Sequence, residues 1–182
     1  MGSATVSVHD VVGVILSHLG VDVPATWPRS VDAIVWQNRI PRVLAGLLVG
    51  AILGVSGVIL QALVRNPLAE PYVLGVSAGA STGAATAIIL LGAIDSLVTG
   101  SFAFAGALVA TFALLLISGQ NAGPLHLILA GLAVGFGFQS LTNFLLFSSG
   151  SPETTQAVMF WMLGSLARAQ WDQILLLAVV AL

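Results

Sequence analysis

The strongest constraint on this chain is where its charges are missing. Between Arg42 and Arg65, and again between Pro71 and Asp95, the sequence is uncharged and apolar. Each stretch is longer than the roughly 20 residues a helix needs to cross about 30 Å of hydrocarbon. From Ser96 to Pro152 no Asp, Glu, Lys or Arg occurs, which leaves room for two further crossings if "SGQNAGP", Ser118 to Pro124, forms a turn. Only 7% of the residues are charged and 58% are hydrophobic, whereas about a quarter of a soluble domain is charged. The predicted fold is therefore all-α, a polytopic transmembrane helical bundle with complete spans near 43–64, 72–94, 97–118 and 125–147. A last apolar run, 173–182, has about half the length of a crossing, so the chain reads as an incomplete bundle that stops inside a fifth span.

Several function classes drop out. With no cysteine there are no disulfides and no thiolate metal sites. A net charge of -2 and the absence of Lys argue against nucleic acid. The N-terminus has no basic region of the kind that opens a signal peptide. A hydrolase inside the bilayer would need a catalytic constellation, and neither a cysteine nor an intramembrane His-Glu pair is present. No catalytic residue, metal site or directly bound cofactor is expected. His9 and His18 read as part of a solvated face, and His126 as an interfacial residue at a span's end.

Val8, Val11, Val12, Ile15, Leu16 and Leu19 recur at helical spacing and predict an amphipathic surface helix, with Ser7 as N-cap, Asp10 at the capping-box position and Gly20 as its stop. "VDVPATWPRS" then reads as a Pro-broken loop, and Pro41 suits a first helical turn. The first span carries Gly46, Gly50 and Gly54, and the second Gly75, Gly79 and Gly83, small residues at spacing four that let neighbouring helices pack closely. Between them "RNPLAEP" predicts a short stiff turn in which Asn66 and Pro67 end one helix and Glu70 and Pro71 precede the next. In the fourth span Gly131, Gly135, Gln139, Thr142 and Asn143 fall on one stripe; such polar residues either glue helices together or line a wet pathway. "SPETTQ" offers Ser151 as N-cap, Pro152 at the first helical position and Glu153 at the positive end of a short interfacial helix.

Taken together, "RIPRVLAGLLVGAILGVSGVILQALVRNPLAEPYVLGVSAGAS", Arg39 to Ser81, resembles the permease subunits of ATP-binding-cassette importers for iron-siderophore complexes, haem and cobalamin, the FecCD-type family. "LILAGLAVG" and "FWMLGSL" followed by "QWDQ" are similar to it as well. The resemblance implies a type II importer permease in a bacterial plasma (inner) membrane. Its implied partners are a second permease subunit (a copy or a paralogue), two cytoplasmic ATP-binding subunits that use the ATP, and an extracytoplasmic solute-binding protein. It puts segments 1–38 and 148–172 outside and the "RNPLAEP" and "SGQNAGP" turns inside. Trp27, Trp36, Trp161 and Trp171 then fall on one side, as an interfacial belt would. The arginines run the other way: four lie outside and only Arg65 inside, so charge alone would flip the topology.

By the same resemblance Arg39 and Arg42 would meet carboxylates of the binding protein, a role suited to the planar, bidentate guanidinium. On composition alone the pair could equally anchor the helix at the headgroups. Gln139, Thr142 and Asn143 would line the translocation pathway, narrowed near the cytoplasm at Gly123, Pro124 and Leu125. The alternative is a small membrane scaffold or oligomeric channel without ATPase partners. The expected cargo, on the resemblance, is an iron-siderophore complex, the common use in the family, with haem or cobalamin as the alternatives.

Overall fold

The computed structural model describes residues 6–67, 69–93, 95–119, 123–167 and 169–181. Leu68, Ile94, Arg168 and the centre of the "SGQNAGP" turn, Gln120 to Ala122, lie outside the described residues. The chain divides into two compact units, Met1–Leu53 with Ser165–Leu182, and Gly54–Gly164. Among the described residues every regular element is helical.

In the first unit, α1 (Val8–His18) starts where Ser7 Oγ accepts the Asp10 N–H at 3.1 Å. It ends in a Schellman pair, Val21 N–H to the Leu16 carbonyl and Gly20 N–H to the Ser17 carbonyl, with Gly20 left-handed at φ 87°. Its sealed face differs from the one the valines predict: Gly13 and Val14 are buried, whereas Val8, Val12 and Leu19 are exposed. The reason is Trp27, whose ring lies where a Cβ on Gly13 would stand. A large aromatic pressed on a glycine outweighs a valine stripe in choosing the buried face.

The helix expected to begin near Val43 begins much earlier. Pro28 caps α2 (Arg29–Ala33), a π turn follows over Ile34–Arg39, and α3 (Ile40–Val64) continues without a break, so that Arg29–Val64 is one helical run of 36 residues. Segment 1–38 is thus helical in its last third rather than a loop. Pro41 lies inside the run and not in a first turn, and the widened turn before it is how a helix absorbs a proline without stopping. The unit is completed by α8 (Trp171–Ala181).

The second unit is built around α4 (Val76–Leu91), a helix of 16 residues with Gly79, Thr82, Ala84, Ala85 and Ala87 buried. It is shorter than the 72–94 span expected. Pro71–Leu74 form a 3₁₀ turn and Gly75 reverses the backbone at φ 77°. A Cβ on Gly75 would come within 2.9 Å of the Gly131 carbonyl and the Gly135 nitrogen, so this break in the helix is sealed by α6 (Pro124–Ser149). Non-helical backbone at membrane depth is tolerated where protein covers it in this way.

Asp95 caps α5 (Ser96–Ser118), its carboxylate accepting the Leu97 N–H at 2.8 Å. α4 and α5 touch backbone to backbone. Cβ atoms added to Gly79 and Gly83 would strike Gly106 and Phe102, and one on Gly106 would strike Gly79. Gly50 and Gly54 have no such neighbour among the described residues, and a Cβ on Gly46 would meet the Leu166 side chain at an ordinary 3.6 Å, so the glycine row of α3 makes no comparable backbone contact within the described chain. Ala110, Leu114, Ala130 and Val134 form the buried cluster between α5 and α6. Ser151 caps the last helix of the unit, α7 (Pro152–Leu163).

Gly83→Ala should destabilise the protein by about 1–3 kcal/mol, because its methyl meets an opposing backbone carbonyl rather than a side chain that can turn away. Gly57→Ala, with open space around it, should be neutral or slightly stabilising. Thermal unfolding of both variants in detergent checks the contrast.

Candidate functional site

Two sets of residues invite a functional reading, one in each unit. In the first unit, Arg39 closes the π turn and is half-buried; Arg42 is exposed one turn on. The Arg42 Nη2 donates to the Ala167 carbonyl at 2.9 Å, tying α3 to the segment that leads into α8. Four positions further along that segment Trp171 Nε1 donates to the Trp36 carbonyl at 3.0 Å. The Trp36 ring has Trp171 on one contact, centroids 4.9 Å apart, and His18 stacked on another at 4.0 Å and 6°. His18 Nε2 in turn lies 3.3 Å from both carboxylate oxygens of Asp32. His18 is therefore docked against α2 and the π turn instead of belonging to a purely solvated face.

In the second unit the polar stripe of α6 divides. Gln139 Nε2 donates to Asn143 Oδ1 at 3.2 Å along the helix, and Asn143 is exposed. Thr142 is fully buried. Its hydroxyl lies 2.7 Å from that of Thr82 on α4, and both hydroxyls reach the Phe138 carbonyl, Thr82 at 2.9 Å and Thr142 at 3.1 Å. Thr82 also approaches the Ala78 carbonyl at 3.0 Å. Two hydroxyl protons among these acceptors leave both side chains satisfied in the helix interface. Thr142 is thus interhelical glue here, while Gln139 and Asn143 form a polar step open on one side.

At the other end of α6, Gly123 precedes the helix in extended conformation, Pro124 takes the first helical position, and Leu125 is exposed. The "RNPLAEP" turn opens with Arg65 itself left-handed at φ 53°, the Asn66 N–H reaching the Gln61 carbonyl and the Ala69 N–H the Asn66 carbonyl. Pro67 explains the departure, since the residue before a proline is steered away from helix and Arg65 has to end it. Glu70 leads in extended conformation into Pro71 and the 3₁₀ turn.

Sequence reasoning passed over Thr82 and Trp171 as individual residues. Thr82 shows only as one threonine among small residues, and nothing local marks its partner 60 positions away. Trp171 could have been found by asking which donor serves the carbonyl that Pro41 leaves without an N–H.

The chain's likenesses agree with this architecture. The model of the FecCD transport family matches residues 1–182. The vitamin B12 import system permease protein BtuC of Escherichia coli O1:K1 / APEC is 42% identical over 153 residues, 82% of this chain and 46% of that protein. The protein of the same description from Escherichia coli strain K12 / DH10B is 42% identical over the same length. The chain thus spans about half the length of the curated relatives it matches. A solved structure of a metal-chelate type ABC transporter in an inward-facing conformation superposes with a TM-score of 0.77 at 28% identity, covering 94% of this chain and 56% of that one.

Cysteines introduced singly should separate the two faces of α6: Asn143→Cys should react with a membrane-impermeant thiol reagent, while Thr142→Cys stays protected. Equal reactivity would show the helix turned from the orientation described. A second outcome concerns Glu153, whose carboxyl is held below the usual carboxylate range by its own backbone N–H and by the Ser151 hydroxyl, which donates to it at 2.9 Å. A lowered pKa stabilises the folded state above the ordinary value of 4.5, and the gain is lost as pH falls through the lowered value. The Thr154 amide resonance should therefore hold steady from pH 8 to about 5 and shift below about 4.5 as the first turn of α7 loosens.

Proposed function

The chain belongs to the FecCD transport family, and from that membership we propose that it forms part of the membrane-spanning permease of an ATP-driven importer in a bacterial inner membrane. Its cargo is a metal chelate. The reading is supported by the family match over the whole chain together with the likeness to a metal-chelate type transporter. The description of the E. coli relatives makes cobalamin the first chelate to test, with iron-siderophore complexes and haem beside it.

In this reading the chain does no chemistry of its own. Hydrolysis belongs to two cytoplasmic ATP-binding subunits, a second permease subunit completes the pathway, and an extracytoplasmic binding protein delivers the chelate. Arg39 and Arg42 receive that protein at the outer rim. Arg42 is exposed there although one of its nitrogens is held by the Ala167 carbonyl, so the guanidinium is oriented before a carboxylate arrives. Such pre-orientation lowers the entropy lost on docking. Gln139 and Asn143 line the path past α6, and Gly123 to Leu125 narrow it at the cytoplasmic end. Turn 65–71 lies on the cytoplasmic side, and 148–172 on the outer one.

Reversing both charges, Arg39→Glu with Arg42→Glu, should weaken binding-protein docking about 100-fold or more and abolish uptake, with membrane insertion unchanged. Docking is measured by pull-down and uptake with labelled cobalamin, ferric siderophore and haem supplied in parallel. Undiminished docking would sink the rim assignment. Uptake of none of the three chelates by the assembled transporter would sink the cargo class and leave a scaffold or channel as the better reading.

A further inference from the structure

Pro41 is fully buried inside a continuous helical run, yet it has no N–H to give. In the π turn just before it, the Ile40 N–H reaches back five residues to the Val35 carbonyl. In the same register the Trp36 carbonyl would accept from residue 41, and residue 41 is the proline. A carbonyl left without a partner away from water is costly, so a donor has to come from elsewhere. It comes from Trp171, whose Nε1 donates to that carbonyl at 3.0 Å across 135 positions of sequence.

Neighbouring contacts help to hold the indole in place. The Trp171 ring leans on the Trp36 ring at 4.9 Å, and His18 stacks on Trp36 at 4.0 Å. Arg42 follows Pro41 directly and fastens the neighbouring Ala167 carbonyl. Arg39 sits in the π turn itself. The direction of both arginines therefore depends on whether this turn stays π-wound.

We infer that Trp171 is a positioning residue: its indole N–H stands in for the backbone donor that Pro41 lacks, and the bond fixes the π turn that aims Arg39 and Arg42. The aiming rests on the docking role proposed above, whereas the bond does not. Packing alone is the rival account, and it predicts that an aromatic ring without an N–H serves as well. Trp171→Phe keeps the ring and removes the donor. Pro41→Ala supplies a backbone N–H that can serve the Trp36 carbonyl from within the helix.

In the assembled transporter, Trp171→Phe should weaken binding-protein docking by about tenfold, the loss of one such hydrogen bond, with insertion and expression unchanged. Adding Pro41→Ala to Trp171→Phe should return docking to within about twofold of the parent, a rescue that ring packing does not predict. Wild-type docking by Trp171→Phe, or no rescue by Pro41→Ala, would overturn the inference. Hydrogen exchange of the four tryptophan indole N–H groups reads the bond independently of docking. Slow exchange at Trp171 that becomes fast on adding Pro41→Ala supports it, and fast exchange at Trp171 in the parent chain overturns it. Should the double arginine reversal dock normally, the rim assignment alone falls, and the indole exchange still decides the bond.

Discussion

Where a helix is buried away from water no solvent can satisfy a backbone N–H or carbonyl, so each interruption there has to be repaired by the protein itself. The structure shows two interruptions repaired in opposite ways. At Gly75 the chain leaves helical geometry altogether, and the glycines of α6 close over the gap. At Pro41 the helix never stops; it widens by one residue per turn and borrows a donor from an indole. Both repairs use residues far away in sequence, which makes the surrounding helices part of the local backbone chemistry.

That distance decides what was legible from the sequence. Missing charge predicts a helix over 97–118 and another over 125–147, and the structure has α5 at Ser96–Ser118 and α6 at Pro124–Ser149. Caps at Ser7 and Ser151 are readable because donor and acceptor lie within three residues. The start of the first long helix was not, since prolines at 28 and 41 look alike in sequence and only the widened turn lets one of them sit inside a helix. The break at Gly75 was hidden for the converse reason, a glycine row suggesting close packing but not which glycine also reverses the backbone.

The polar stripe carries the same lesson for the site. Periodicity put Gln139, Thr142 and Asn143 together, and it could not say that a threonine on another helix takes one of them. A rotation of about 100° per residue separates Thr142 from Asn143, enough to bury one and expose the other. The arginine pair divides likewise: the charges are visible in the sequence, while the carbonyl that orients Arg42 belongs to a segment 125 residues away.

The contact between α4 and α5 is made of Gly79, Gly83 and Gly106 with alanines beside them. Glycine and alanine have no side-chain rotamers to lose, whereas leucine or methionine would each give up part of about 0.5–2 kcal/mol of side-chain entropy on burial. At these positions the two helices come together without freezing a side chain. A backbone approach this close thus forms at little cost in side-chain disorder.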